Sequence, residues 1–286
     1  MVTEYLYSPH YDFYIDFAER TYGYDMKSFH FHKKYEIYYE VKGTRRYFID
    51  NSTYIVNAGN IVLIGPDSIH KTGSVENMPH SRYVLNFNFD YITQIGEISP
   101  DVNLHSCFES GVHIIQVSPR KQRIIESLMY QMWETHASNL PKDIALRKLR
   151  LSEMLLILGD YASEVKQGYD AKVTNPIIEK VQSYIAVHYK EPLRLSAISK
   201  EFFVSDHYLS RLFKKTTGLS VIEYINSIRL TAAKDLLETT QTSISRIGEA
   251  VGFGTTTHFS RAFKESAGLS PQQYRKIYNA ADKDSK

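Results

Sequence analysis

The sequence predicts an α+β chain of two domains, and three observations carry that reading. Between residues 29 and 90, short β-branched and aromatic runs alternate with turn residues. From Ser118 the apolar residues change to a spacing of three to four. From 205 onward the chain repeats itself without a gap at an offset of 50. The 286 residues, with 43% hydrophobic and 23% charged side chains, are enough for two cores.

In the first region the expected strands are Tyr35–Val41, Arg45–Ile49, Thr53–Val56, Asn60–Ile64 and Arg82–Phe89, broken by Gly43, Asp50-Asn51, Ala58-Gly59 and Gly65-Pro66. Strands this closely spaced make a sandwich or small barrel. Residues 1–117 are its expected extent. Helices follow over 118–166. Ser118-Pro119 opens the first, with Ile124, Ile125, Leu128, Met129 and Met132 on one face, and Pro141 opens the second. The polar stretch 167–174 (QGYDAKVT) reads as a linker, and Asn175-Pro176 as the helix start of a domain over 175–280.

The single Cys107 excludes an internal disulfide framework and a multi-cysteine zinc site. It fits a reduced, cytoplasmic setting. The N-terminus has no basic start before an apolar run, so no signal peptide is expected, and no stretch reaches the roughly 18 apolar residues of a membrane span. The net charge of +2 is uneven. Residues 175–286 hold 16 of the 34 basic side chains but only 11 of the 32 acidic ones. A basic C-terminal half beside an acidic N-terminal half points to one half meeting nucleic acid.

Residues 205–224 read SDHYLSRLFKKTTGLSVIEY and residues 255–274 read TTTHFSRAFKESAGLSPQQY. Ser210-Arg211 falls on Ser260-Arg261, Phe213-Lys214 on Phe263-Lys264, and Gly218-Leu219-Ser220 on Gly268-Leu269-Ser270. Each copy is expected to be a helix with an apolar inner face (Leu209, Leu212, Phe213; Phe259, Ala262, Phe263) and an arginine left outside. A short helix precedes each, Leu195–Phe203 and Ser243–Val251. Ahead of the turns the offset is 49, so the second turn holds one extra residue. Between the units, Ser220–Glu238 gives one strut with Ile222, Ile225, Ile228, Ala232 and Leu236 as its apolar stripe. At about 1.5 Å per residue it spans roughly 27 Å, a separation near one DNA turn of ~34 Å.

These motifs resemble the DNA-binding domain of the AraC family of bacterial transcription regulators, over about 100 residues. The resemblance implies seven helices, with two recognition helices entering successive major grooves of promoter DNA. Carried over by position, base-edge candidates are His207, Ser210, Arg211, Thr256, Thr257, Ser260 and Arg261, with Lys214 and Lys264 on phosphates. The family usually has alanine where this chain has Ser199 and Gly248. Both are small, so close helix packing survives.

In the N-terminal half, His30-Phe31-His32, Glu36 and Gly43 resemble the first cupin motif, and Gly59, Pro66 and His70 the second. The usual glycine after the proline is missing, since Pro66 is followed by Asp67. Three histidines and a glutamate can hold a divalent ion; the expectation is no resident metal, no cofactor and no catalytic residue. His30, His32, Glu36, Tyr38 and His70 are instead candidates for lining a small-molecule site, a sugar being the expected class. Strand alternation puts Glu36, Tyr38 and Glu40 on the interior face and Tyr35, Ile37, Tyr39 and Val41 on the other. The helices over 118–166 resemble the family's dimerisation helices, so a homodimer is expected. The rival readings are a metal-dependent cupin enzyme fused to a DNA-binding domain, and a constitutive regulator whose barrel is only structural.

Overall fold

The computed structural model describes residues 12–284 apart from 23, 27, 76–77, 95–100, 165–171 and 174. Most of the expected linker therefore lies outside the described residues. Its end is visible: Val173 N donates to Thr53 O at 2.7 Å, so the chain runs along a barrel strand before the helical domain begins.

Among the described residues, eight antiparallel strands make two sheets. The first has the order β1 (Phe13–Arg20), β7 (His80–Phe87), β2 (Tyr35–Lys42), β5 (Asn60–Ile64) and β8 (Ile114–Gln116). The second has β4 (Ser52–Asn57), β3 (Thr44–Ile49) and β6 (His70–Ser74). Tyr38 of the first sheet meets Tyr47 of the second edge-on, with ring centroids 4.9 Å apart. The two inner faces thus close over a shared interior.

Three strands escaped the sequence reading, each for a physical reason. β6 reads HKTGS and carries no apolar side chain, so period-2 alternation has nothing to show. β8 is three residues long. β1 alternates Phe13, Ile15 and Phe17 against Tyr14 and Asp16, but it precedes the region where turn residues punctuate the chain. The expected last strand, Arg82–Phe89, begins two residues earlier and stops at Phe87, where a 3-10 turn takes over at Phe89–Tyr91.

The outer face of the first sheet is covered by helices. A short α1 (Ser106–Glu109) is followed by α2 (Pro119–Glu134) and α3 (Pro141–Glu164). Ile125, Leu128, Met129 and Met132 of α2 and Leu151, Met154, Leu155 and Leu158 of α3 pack with Ile37, Tyr39, Ile61 and Leu85 of the sheet. Burying apolar side chains on this scale is the main stabilising term of the N-terminal half.

The C-terminal half is helical: α4 (Pro176–His188), α5 (Leu195–Glu201), α6 (Asp206–Thr217), α7 (Val221–Thr239), α8 (Ile244–Ala250), α9 (Thr256–Ala267) and α10 (Pro271–Asp284). Caps fix their ends. Asn175 accepts from the amides of Ile177 and Ile178, and Ser220 with Glu223 forms a reciprocal capping box. The α7 strut departs from its expected stripe in one place. Ile222 is exposed, because the buried face runs through Val221, Tyr224, Ile225, Ile228, Leu230, Ala233 and Leu237.

The two halves share one core. Phe29, Phe31, Phe48 and Ile69 of the barrel belong to the same apolar cluster as Phe213, Tyr224, Phe263 and Tyr274 of the helical domain.

Candidate functional site

The repeat in sequence is a repeat in structure. Residues 205–218 and 255–268 have the same order of buried, half-buried and exposed positions throughout. Ser205 caps α6 by accepting from Tyr208 N, and Thr255 caps α9 by accepting from His258 N. Gly218 and Gly268 end them at φ 78° and 70°, in the left-handed region where a β-carbon is disfavoured. Both turns close alike: Val204 N donates to Ser199 O at 3.0 Å, and Phe253 N donates to Gly248 O at 2.9 Å.

Leu209, Phe213, Phe259 and Phe263 anchor the inner faces. His207, Arg211, Lys214, Thr256, Thr257, Arg261 and Lys264 are exposed, and Ser210 and Ser260 are half-buried beside them. A β-carbon at Gly248 would lie 3.0 Å from the Phe259 ring, so the short helix α8 crosses α9 at close range. At the equivalent place Ser199 turns its hydroxyl to Ser196 O and to the Asp206 carboxylate. Small side chains at both positions are a packing requirement.

The second site lies inside the barrel. A cavity of about 160 Å³ is lined by Asp16, Arg20, His30, Glu36, Tyr38, Arg45, Tyr47, His70, His80, Arg82 and Asn86 among others. Four of the five expected lining residues reach it. His32 stands behind, with its ring centroid 5.7 Å from that of His30 and 5.1 Å from that of His70. Glu36 and Tyr38 share the interior face of β2, while Ile37 and Tyr39 turn to the helices. Arg45, Arg82 and His80 were not among the expected residues. Basic side chains on a strand read as solvent-facing until the second sheet covers them.

At one end of the cavity, metal-ligating atoms of His30, His32, Glu36 and His70 lie within 4.8 Å of one another. His32 Nδ1 is 2.9 Å from Lys34 O and His70 Nδ1 is 2.9 Å from Ser68 O. A carbonyl only accepts, so both Nδ1 atoms carry protons. Their Nε2 atoms face the same carboxylate oxygen, Glu36 Oε2, at 3.2 and 3.7 Å. Asn86 Nδ2 donates to that oxygen at 2.9 Å. Two lone pairs against a carboxylate repel, so a proton or another cation belongs between them.

The titration behaviour follows. Burial opposes the charged form of Glu36, but His70 and His32 outweigh it and hold the carboxyl well below its ordinary range. Burial also opposes charge on His70, and Glu36 reverses that and raises its pKa. His30 is pushed well below its usual value by burial and by its two histidine neighbours. The donor set matches imidazole- and carboxylate-binding divalent ions, and the backbone bonds at Nδ1 are the kind that orient metal-bound histidines.

The barrel and the second repeat unit, residues 255–274, are joined at this same segment. Phe31 N donates to Ser266 O at 3.2 Å, and Ser266 Oγ donates to Phe29 O at 2.9 Å. The Phe31 ring stands edge-on to Phe263 at 5.6 Å and to Tyr274 at 5.8 Å. Lys33 bridges Asp67 of the barrel, at 2.8 Å, and Glu238 of α7, at 2.9 Å. The Tyr274 hydroxyl lies 2.6 Å from Glu238 Oε1 and 3.1 Å from Asp67 Oδ1, donating its one proton between them. Asp67 sits at φ 66°, the backbone shape for which the second cupin motif usually has glycine. Aspartate tolerates that conformation better than most residues, and here its side chain is used across the interface.

Comparison with known proteins agrees with both halves. Residues 14–155 match the AraC-like ligand binding domain, and residues 198–277 match a helix-turn-helix domain. The chain is 27% identical to the uncharacterized HTH-type transcriptional regulator YisR of Bacillus subtilis, over 85% of this chain and 86% of that protein. It is 26% identical to the Msm operon regulatory protein of Streptococcus mutans, over 85% and 84%. It is 23% identical to the HTH-type transcriptional activator RhaS of an Enterobacter strain, over 88% of each. Among the described residues no helix is long and apolar enough to cross a membrane. With a ligand-binding domain ahead of a duplicated helix-turn-helix unit, the chain belongs to the AraC family of transcription regulators.

Proposed function

We propose that the barrel takes a small polar metabolite of the sugar type and reports its presence to the second reading unit through His30-Phe31-His32. The observation that carries this reading is the two-sided character of that tripeptide. Its histidines belong to the cluster at the cavity end, while Phe31 between them reaches Phe263 and Tyr274. An effector that moves the imidazoles must move the ring that seats α9. Such a device shifts the population between two placements of the reading helix. The cavity chemistry supports a hydroxyl-rich ligand, because tyrosines, histidines, carboxylates and guanidinium groups all converge there.

On the DNA side, His207, Ser210, Arg211, Thr256, Thr257, Ser260 and Arg261 face base edges, and Lys214 and Lys264 face phosphates. The protein acts in the cytoplasm on double-stranded promoter DNA, as a regulator rather than an enzyme. It works as a homodimer. Leu149 and Leu156 of α3, seven residues apart, are both exposed and support a helix-to-helix contact between two chains.

The test uses an operator selected from random duplexes by the full chain. Wild type and Phe31→Ala are compared for operator affinity with and without sugars that raise the protein's melting temperature. Under this reading Phe31→Ala keeps the thermal response and loses the effect of the sugar on DNA affinity. An unchanged DNA response in that variant overturns the relay. Sedimentation of Leu149→Glu/Leu156→Glu checks the dimer, which that variant should dissociate.

A further inference from the structure

At the cavity end away from the histidine cluster, guanidinium groups gather, and one of them has no ion-pair partner. Arg45 of β3 is 1% exposed. Its Nε donates to Thr72 Oγ1 at 3.3 Å and its Nη2 donates to Tyr24 O, while Nη1 has no acceptor. Among the described residues no carboxylate lies within ion-pair distance of Arg45.

The neighbouring groups do not repair this. Arg82 is satisfied by Asp16 at 2.9 Å. Asp25 and Glu40 are the acids whose charge Arg45 feels. Burial raises the Glu40 carboxyl to about 7, against the pull of Tyr38, Arg45 and Arg82. Its Oε2 accepts from the Tyr38 hydroxyl, and its Oε1 is unpartnered. His80 lines the same end and is also buried, with Nδ1 unpartnered. Burial, then Arg45, Arg82 and Arg20, push its pKa down to about 4, so it stays neutral near pH 7.

A buried guanidinium without an ion pair, and with one nitrogen lacking an acceptor, is unfavourable, and proteins complete such groups with an opposite charge. Guanidinium geometry matches a carboxylate through two parallel hydrogen bonds. We infer that the effector carries a carboxylate that docks on Arg45, with His80 beside it and its hydroxyl-bearing remainder toward Tyr38, Tyr47 and the histidine cluster. The class is a small hydroxy acid or sugar acid. The cavity of about 160 Å³ has room for such a molecule. This inference rests on the barrel being the effector site and narrows the effector from sugars in general to their acids.

The test needs no knowledge of the natural effector. Acetate is the probe for the carboxylate alone, and sorbitol is the probe for the hydroxyls alone. Melting of the full chain is followed in sodium acetate against sodium chloride at equal ionic strength. Acetate is expected to raise the melting temperature saturably, by about 3 °C at roughly ten times its Kd. Arg45→Met should remove that increment. Without probe, loss of the Thr72 and Tyr24 hydrogen bonds opposes the gain from deleting a buried charge that has no ion pair, so each variant's increment is read against its own melting temperature in chloride. Arg45→Lys, which keeps the charge but not the fork, should retain part of the increment and covers the case in which Arg45→Met does not fold.

No acetate increment over chloride, or an increment that survives in Arg45→Met, overturns the carboxylate subsite. A response to sorbitol without one to acetate also overturns it, and leaves the sugar-sensing reading standing. An unchanged DNA response in the Phe31→Ala experiment, with the acetate response intact, removes the relay and leaves the subsite.

Discussion

Phe31 of the barrel stands edge-on to Phe263 of α9, with ring centroids 5.6 Å apart. Each ring is buried, and each belongs to a segment with work elsewhere: Phe31 between two histidines of the cluster at the cavity end, Phe263 on the inner face of a helix whose outer face carries Arg261. Truncating a buried phenylalanine costs about 3–5 kcal/mol when the site cannot collapse. At an interface the loss falls on docking rather than on either core. Phe31→Ala should therefore split a single calorimetric transition into two, or widen it, while circular dichroism at low temperature stays unchanged. A sharp single transition shifted downward as a whole would show that Phe31 only stabilises the barrel.

Arg211 and Arg261 occupy equivalent places on α6 and α9, both exposed. A two-pronged arginine–guanine contact contributes about 1–3 kcal/mol of discrimination. Arg211→Ala and Arg261→Ala should each weaken operator binding by that amount at matched salt and affect random DNA less. Lys214→Ala and Lys264→Ala should weaken both kinds of DNA alike and lower the salt slope by about one each. Fluorescence anisotropy across a salt series separates the two outcomes. If the arginine variants bind operator as wild type does, the base-reading assignment fails.

Glu40 makes the fold sensitive to pH. Burial raises its carboxyl to about 7, while an unfolded glutamate titrates near 4.3. Between those values the folded state holds more protons, so this group's contribution to stability declines as pH rises from about 4.3 to 7 and is level above. Glutamine imitates the neutral form and can still accept from the Tyr38 hydroxyl. Glu40→Gln should match wild type at pH 4.5 and exceed it at pH 8 by up to about 3 kcal/mol. Urea unfolding of both proteins at the two pH values checks this. His80 titrates in an overlapping window with the opposite sign, and taking the difference between the two proteins cancels it.

The helical half was more legible than the barrel. Its signals are local: Ser205, Ser220 and Asn175 cap helices through atoms two or three residues away, and Gly218 and Gly268 end helices through their own φ. Such features appear in the order of residues. The cavity depends on contacts between distant strands. Glu36, Tyr38 and the histidines could be found from motif and alternation, but Arg45 and Arg82 become interior only when one sheet closes on the other. The Asp67–Tyr274 contact joins residues 207 positions apart and left no mark in local pattern. The missing motif glycine at Asp67 was visible as a departure, and the partner that gives the aspartate its use was not.

The two turns ahead of the reading helices offer a matched pair of opposite predictions. Phe203 has φ 54° and is 96% exposed, while its counterpart Gly252 has φ 93°. A residue with a β-carbon in the left-handed region costs about 1–2 kcal/mol. Phe203 makes little contact that could repay this, so Phe203→Gly should raise stability. The gain is limited to about 0.5–1 kcal/mol, because glycine also frees the unfolded chain. At Gly252 a β-carbon would lie 2.6 Å from Tyr189 O and 2.8 Å from Lys190 O. Both are backbone atoms, and the segment that bears them is tied to Arg229, which donates to Tyr189 O and Glu191 O at 2.8 Å. Relief would have to break those bonds, so Gly252→Ala should destabilise by more than about 2 kcal/mol. Chemical denaturation of the full chain reads both signs. If Phe203→Gly instead weakens DNA binding without lowering stability, the exposed ring has been kept for a contact with DNA or a partner, and the strain at φ 54° is the cost of holding it there.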